Sequence, residues 1–108
     1  MALKIKKVSE PTLLVDLKKV ERNIERMLLK CTDHRLILQP HFKTHQSAKI
    51  GSLFRQKGVK SITVSSLKMA SYFSKNGWSN IHIAMPPIKA QYNSFSELVQ
   101  SAKISVNI

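Results

Sequence analysis

The chain has 108 residues, 43% apolar and 6% aromatic, with 18 Lys and Arg against six Asp and Glu and a formal net charge of +12. That apolar share excludes a disordered polyelectrolyte. A single cysteine, Cys31, excludes a disulfide scaffold and fits a reducing cytosol, and no stretch approaches the roughly 20 apolar residues that span a bilayer. Met1 to Pro11 holds no apolar run, so no signal peptide and a cytoplasmic location are expected. The length suits one domain or part of one, burying roughly 65% of its unfolded surface.

The elements alternate between strand and helix. Leu13-Leu14-Val15 predicts a short strand, and Asp16 is a suitable N-cap for a helix starting at Leu17. Leu17, Val20, Ile24, Met27, Leu28 and Cys31 recur at helical spacing, with Lys18, Lys19, Glu21, Arg22, Glu25 and Arg26 on the other face. Cys31 thus falls on the packing stripe and reads as core. Thr32-Asp33-His34 closes this helix. Leu36 to Phe42 predicts a strand despite Pro40. Ser47 caps a second helix with Ile50, Leu53 and Phe54 inward, and Gly58 suits its left-handed terminus. Ser61 to Ser65 is a β-branched strand. A helix over about 66–76 comes next, with Met69, Ala70 and Phe73 inward and Gly77 as its stop. Ile81 to Met85 is a further strand, ended by Pro86-Pro87. Phe95, Leu98, Val99 and Ala102 predict a last helix, and Ile104 to Ile108 a last strand.

Strands joined by single helices imply right-handed βαβ units and a parallel sheet. Four of these strands carry a polar face: Gln39, His41 and Lys43; Thr63 and Ser65; His82 and Ala84; Ser105 and Asn107. Buried parallel strands are usually apolar on both faces. Two architectures account for the difference. The polar face lines the interior of a barrel near its C-terminal mouth, or it is the solvated side of an open sheet.

Lys43 is the main candidate for chemistry. It follows a strand within Gln39-Pro40-His41-Phe42-Lys43-Thr44-His45, and the C-terminal ends of parallel strands are where active-site groups collect. An amine lowered in pKa by desolvation or by neighbouring cations can form a Schiff base with a carbonyl. His41 and His45 flank it at two-residue spacing, which in extended chain puts all three on one face. A surface lysine in a loop is the plainer account of the same position. Zinc needs three or four placed ligands, and His34, His82 and Cys31 add no metal-like spacing, so no metal site is assigned. There is no GxSxG elbow, and Gly51, Gly58 and Gly77 are too scattered for a phosphate loop.

Pro40-His41-Phe42-Lys43-Thr44-His45-Gln46-Ser47 resembles the pyridoxal-phosphate lysine motif of the D-threonine aldolase and D-serine dehydratase family, within the alanine-racemase-like, fold-type III enzymes. Pro11 to Asp16, Arg22-Asn23-Ile24, Gly58-Val59 with Ile62 to Ser65, and Gly77-Trp78 with Ile81 to Pro86 resemble that family's other segments in the same order. The resemblance covers about 10–108. It implies the first half of a (β/α)8 barrel over residues 17–108. Residues 1–16 would be an N-terminal segment whose strand joins a C-terminal β domain. It implies a lyase acting on D-hydroxy amino acids through pyridoxal 5′-phosphate, with Lys43 as the Schiff-base lysine. His41, His45 and Ser65 are geometric candidates for cofactor contacts, not carried over from the family. Family members run several times this length. The resemblance therefore implies that the phosphate-cradling loops, and a β domain holding any divalent metal, lie outside these residues. It also implies that the 108 residues alone are catalytically incomplete.

The expected partners are a small D-amino acid and either further copies of the chain or a partner supplying the rest of the fold, with no membrane. A non-catalytic remnant of the fold is one alternative. The other is a small basic nucleic-acid-binding protein. Residues 1–60 hold fourteen of the basic side chains and five of the acids. That charge is its sole support, since it spreads over helix faces without a nucleic-acid-binding motif.

Overall fold

In the computed structural model the described residues are 8–108, so Lys4, Lys6, Lys7 and the first part of the expected N-terminal segment lie outside them. Helix α1 spans Leu17–Asp33, α2 Ala48–Gln56, α3 Leu67–Lys75 and α4 Tyr92–Leu98; strand β1 spans Ile62–Val64, β2 Asn80–Ile83 and β3 Lys103–Val106. Single 3-10 turns occupy Phe42–Thr44 and Lys89–Gln91.

Short polar side chains start α1, α2 and α3. The Asp16 carboxylate accepts from the Lys19 N–H, Ser47 Oγ from Ile50 N–H and Ser66 Oγ from Met69 N–H. Each satisfies one of the donors a helix leaves orphaned at its first turn. The Tyr72 hydroxyl takes another, accepting from the Ala48 N–H at 3.1 Å and tying α3 to the start of α2. Gly58 and Gly77 come just after the helix ends at φ +94° and +95°, where a side chain would be strained.

The three strands are parallel in the order β1-β2-β3, with α3 and α4 as the crossovers. Ile62 pairs with Ile81 and Ile81 with Ile104; Val64 pairs with Ile83 and Ile83 with Val106. These apolar rows face the helices. The core comprises Phe42, Val59, Ile62, Val64, Ala70, Phe73, Trp78, Ile81 and Ile83, all nearly or completely shielded from solvent. Principal extents of 51 × 42 × 20 Å and a radius of gyration of 16.3 Å describe a slab. A compact domain of this length has a radius near ~13 Å. The thin dimension leaves room for the sheet and one helical layer, so the other sheet face is uncovered.

Several sequence expectations change. Leu13 to Val15 forms no strand: Leu13 is 90% exposed and the segment has no sheet partner among the described residues. Leu36 to Phe42 forms no strand of its own and contributes a single parallel bridge, His41 to Thr63, with the Thr63 N–H donating to the Pro40 carbonyl. Pro40 has no N–H to continue a ladder, and the 3-10 turn begins immediately after His41. The strand expected over 104–108 shifts to Lys103–Val106, and the last helix ends at Leu98, leaving Val99 exposed. On α1 only Ile24 is buried; Leu17 and Met27 are exposed, and Cys31 is half-buried. The stripe faces a groove of about 450 Å³ toward Leu38, Pro40, His45 and Phe54. The parallel βαβαβ order matches the expected α/β class, with three strands and one bridge where five strands were expected, four of them in this sheet.

Candidate active site

The polar face of the sheet is the uncovered one. Strand register sets His41, Thr63, His82 and Ser105 side by side in one row across four chain segments. Continuing the register by one residue beyond Val64, Ile83 and Val106 places Ser65, Ala84 and Asn107 in the next row, toward the C-terminal ends. Gln39 joins this face through Nε2, which donates to Thr63 Oγ1 at 3.2 Å and to the Ile62 carbonyl at 3.3 Å. The residue types were legible in the alternation of the sequence; their row is set by tertiary pairing.

Lys43 sits two residues beyond the His41–Thr63 bridge, in the 3-10 turn Phe42–Thr44, with its side chain exposed. Three contacts fix its backbone. Its N–H donates to His41 Nδ1 at 3.2 Å, its carbonyl accepts from Gln46 Nε2 at 3.2 Å, and its neighbour Phe42 is fully buried. The Phe42 ring lies 4.9 Å from Phe73 and 5.2 Å from both Phe54 and Trp78. Position 51 carries glycine because a Cβ there would stand 2.9 Å from Phe42 Cε2. The lysine is thus an exposed amine on a backbone anchored beside the core.

His41 lies on the polar face beside that amine. Burial pushes its pKa below the ordinary histidine value, and the charge of Lys43 and then of His82 pushes it further the same way. Its Nδ1 already accepts from the Lys43 N–H, so the neutral ring carries its proton on Nε2. The ring's one acceptor nitrogen is therefore occupied, and it can take a proton only where that contact opens.

His45 does not share the face of Lys43 and His41. The turn at Phe42–Thr44 rotates it into the aromatic layer, 4.4 Å from Phe42 and stacked at 5.9 Å on Phe54. Two-residue spacing puts side chains together only where the chain stays extended. His45 Nδ1 accepts from the Ser47 N–H at 3.0 Å, and the buried Nε2 has no partner among the described residues. Burial holds its pKa below the usual value, against the raising effect of the Ser47 hydrogen bond. Ser65, half-buried, follows β1 on the polar face.

These two shifts set a pH dependence. The unfolded chain takes up protons at His41 and His45 near the ordinary histidine pKa of about 6.5, before the folded chain does. Their contribution to stability is therefore complete above about pH 6.5 and falls as the pH drops through the lowered folded values. Urea midpoints are expected to be lower at about pH 5 than at about pH 8. The His45→Phe variant should narrow that gap, and an equal gap in the variant would show that His45 does not contribute.

No protein-family model matches the chain. It is 36% identical over 75 residues to D-threo-3-hydroxyaspartate dehydratase of Delftia sp. (strain HT23), a match that takes in 69% of this chain and 20% of the relative. It is 30% identical over 101 residues to D-threonine aldolase of Arthrobacter sp., covering 93% of this chain and 27% of that one. Its relatives and structural neighbours are D-threo-3-hydroxyaspartate dehydratases and D-threonine aldolases, each matched over a fragment. The chain spans about a fifth to a quarter of the length of these relatives, consistent with an N-terminal part. The solved dehydratase from Delftia sp. HT23 superimposes with a TM-score of 0.75 at 31% identity, over 80% of this chain and 23% of that one. The D-threonine aldolase from Filomicrobium marinum shares the fold, with a TM-score of 0.87 over 94% of this chain and 28% of its own.

Among the described residues no three His, Cys, Asp or Glu side chains cluster as a metal site, and no helix is long and apolar enough to cross a membrane.

Proposed function

We propose that this chain is the lysine-bearing part of a pyridoxal-phosphate lyase acting on D-hydroxy amino acids, of the aldolase or dehydratase type. The observation that carries the reading is the position of Lys43. It is an exposed amine past the end of a parallel segment, on a backbone pinned by His41 and Phe42, beside a face of small polar groups. The likeness to the dehydratase and the aldolase supports it. So does the sheet order β1-β2-β3, which is that of one wall of a (β/α)8 barrel whose interior would be the polar face.

The residues present fit part of the cofactor. Lys43 would hold its carbonyl carbon, and His41, Ser65 and Thr63 offer polar contacts on the same face. His45, packed in the aromatic layer, would act through its contact with Phe42. A phosphate cradle is not evident among the described residues, so the phosphate would be held by other parts of the fold. When bound, the cofactor supplies an electron sink for negative charge at Cα of an amino acid. Lys43 and neutral His41 are the two groups on this face suited to moving a proton there. Lys43 serves once its amine is free, and His41 takes up a proton at Nδ1 if the Lys43 N–H contact opens.

Adding pyridoxal phosphate to the chain and reducing with borohydride tests this reading. One equivalent trapped, with the modified peptide containing Lys43, is the expected result. Label spread over the surface lysines, or none, would make the chain a non-catalytic relative.

A further inference from the structure

His82 is the histidine of the polar face with partners on the neighbouring strand's chain segment, more than twenty residues away in sequence. Its Nδ1 lies 2.8 Å from Ser105 Oγ and its Nε2 3.0 Å from Asn107 Oδ1. With an amide oxygen facing Nε2, that nitrogen carries the proton, and Nδ1 accepts from the serine hydroxyl. Both partners belong to the chain segment of β3, two residues apart on one face, so they grip the same edge of the ring. The ring's rotation and its tautomer are both fixed. His41 and His45, by contrast, each accept from a backbone N–H two residues further along, a purely local contact.

Stability does not call for this clamp. Water serves an accessible imidazole as well as protein does, and exchanging one for the other gains about 1 kcal/mol per bond at most sites. Rotamer freedom is surrendered in return. The clamp also spends the hydrogen-bonding capacity of three polar side chains on one another, on the sheet face that no helix covers. Its position is specific: His82 stands in the row of His41 and Thr63, close enough to His41 to act on it electrostatically, as Lys43 also does. A saturated ring there is a rigid planar surface, with no free donor or acceptor to capture water or substrate.

We propose that His82, clamped by Ser105 and Asn107, is a binding residue for the planar ring of the group attached at Lys43, which it meets as a fixed wall. This rests on Lys43 being the attachment point. A rigid wall contributes by preorganisation: a ring already held in place loses no freedom when a ligand arrives. Ser105 and Asn107 are then positioning residues, acting through His82.

Two measurements on the 108-residue chain test it. Ring nitrogen chemical shifts at about pH 8, where histidines are neutral, should show His82 as the Nε2–H tautomer. Asn107→Ala, which removes the acceptor facing Nε2, should turn it into a mixture of tautomers. A mixture in the unaltered chain would overturn the clamp. Pyridoxal phosphate affinity, read by absorbance, should fall at least tenfold in His82→Ala and severalfold in Ser105→Ala, with His82→Phe recovering much of the loss as a flat ring of similar width. Ser105→Ala removes one hydroxyl from an accessible position, so its fold survives even where His82→Ala fails to fold. If Lys43 is loaded equally in all four proteins, His82 has no such role while the Lys43 reading stands. If the unaltered chain loads no cofactor at Lys43, both fail together.

Discussion

Lys43→Ala is expected to abolish stoichiometric trapping of pyridoxal phosphate while leaving the fold intact. Lys43 is one of fourteen lysines, so indiscriminate labelling would leave more than nine-tenths of the signal when it is removed. Specific loading would leave almost none. The fold should not notice the change: the side chain is exposed, and the hydrogen bonds at this position come from its backbone N–H and carbonyl. The His41 pKa should move up toward its ordinary value, because the second-largest influence holding it down, after burial, is the Lys43 charge. Lys43→Arg separates charge from chemistry. A guanidinium keeps the positive charge but stays protonated, so it cannot form the bond to a carbonyl carbon. It should leave His41 low and still trap nothing. Trapping that persists at more than a tenth of the original level in Lys43→Ala would move the reactive amine elsewhere and remove the basis of the proposed function.

Helix starts and stops were legible residue by residue, because each is a local matter of one side chain or one φ angle. Asp16, Ser47, Gly58 and Gly77 all do what their types predict. The alternation at Thr63, His82 and Ser105 likewise gave a face before any sheet was known. Pairing was less legible. Leu13 to Val15 has a strand's composition, but a strand exists only where another one accepts its hydrogen bonds. Leu36 to Phe42 fails for a local reason, the missing N–H of Pro40 together with a turn that starts at Phe42. The α1 stripe shows the limit of periodicity: it says which face a helix would bury, and Met27 at 49% exposure shows that the cover is not supplied by the neighbouring elements. His45 was misplaced by the same kind of assumption, since extended geometry was carried across a turn. The partners of His82 are 23 and 25 residues away and depend on strand register, which no local pattern encodes.

Phe42→Ala should be the most damaging single substitution for the fold, and it links the core to the site. Its ring is fully buried and touches residues from α2, α3 and the Trp78 segment as well as His45. Removing a buried phenylalanine costs about 3–5 kcal/mol through lost transfer energy and the cavity left behind. Small domains have only about 5–15 kcal/mol in total, and this core is one helical layer deep, with Gly51 offering no side chain to fill the gap. Most of the stability should therefore go, read as a collapse of the urea midpoint. Phe42→Leu, which keeps much of the volume, should cost considerably less. The two variants also separate folding from function. In conditions where Phe42→Leu is fully folded, the turn carrying Lys43 has lost its flat ring between Phe73 and Phe54. Loading of Lys43 should then weaken more than stability predicts, because the lysine's backbone is held to the core through this one neighbour. A Phe42→Ala chain whose stability stays within about 1 kcal/mol of the original, well under the cost of a typical buried ring, would mean that the turn is held by its hydrogen bonds to His41 and Gln46 instead, and that the aromatic layer is incidental to the placement of Lys43.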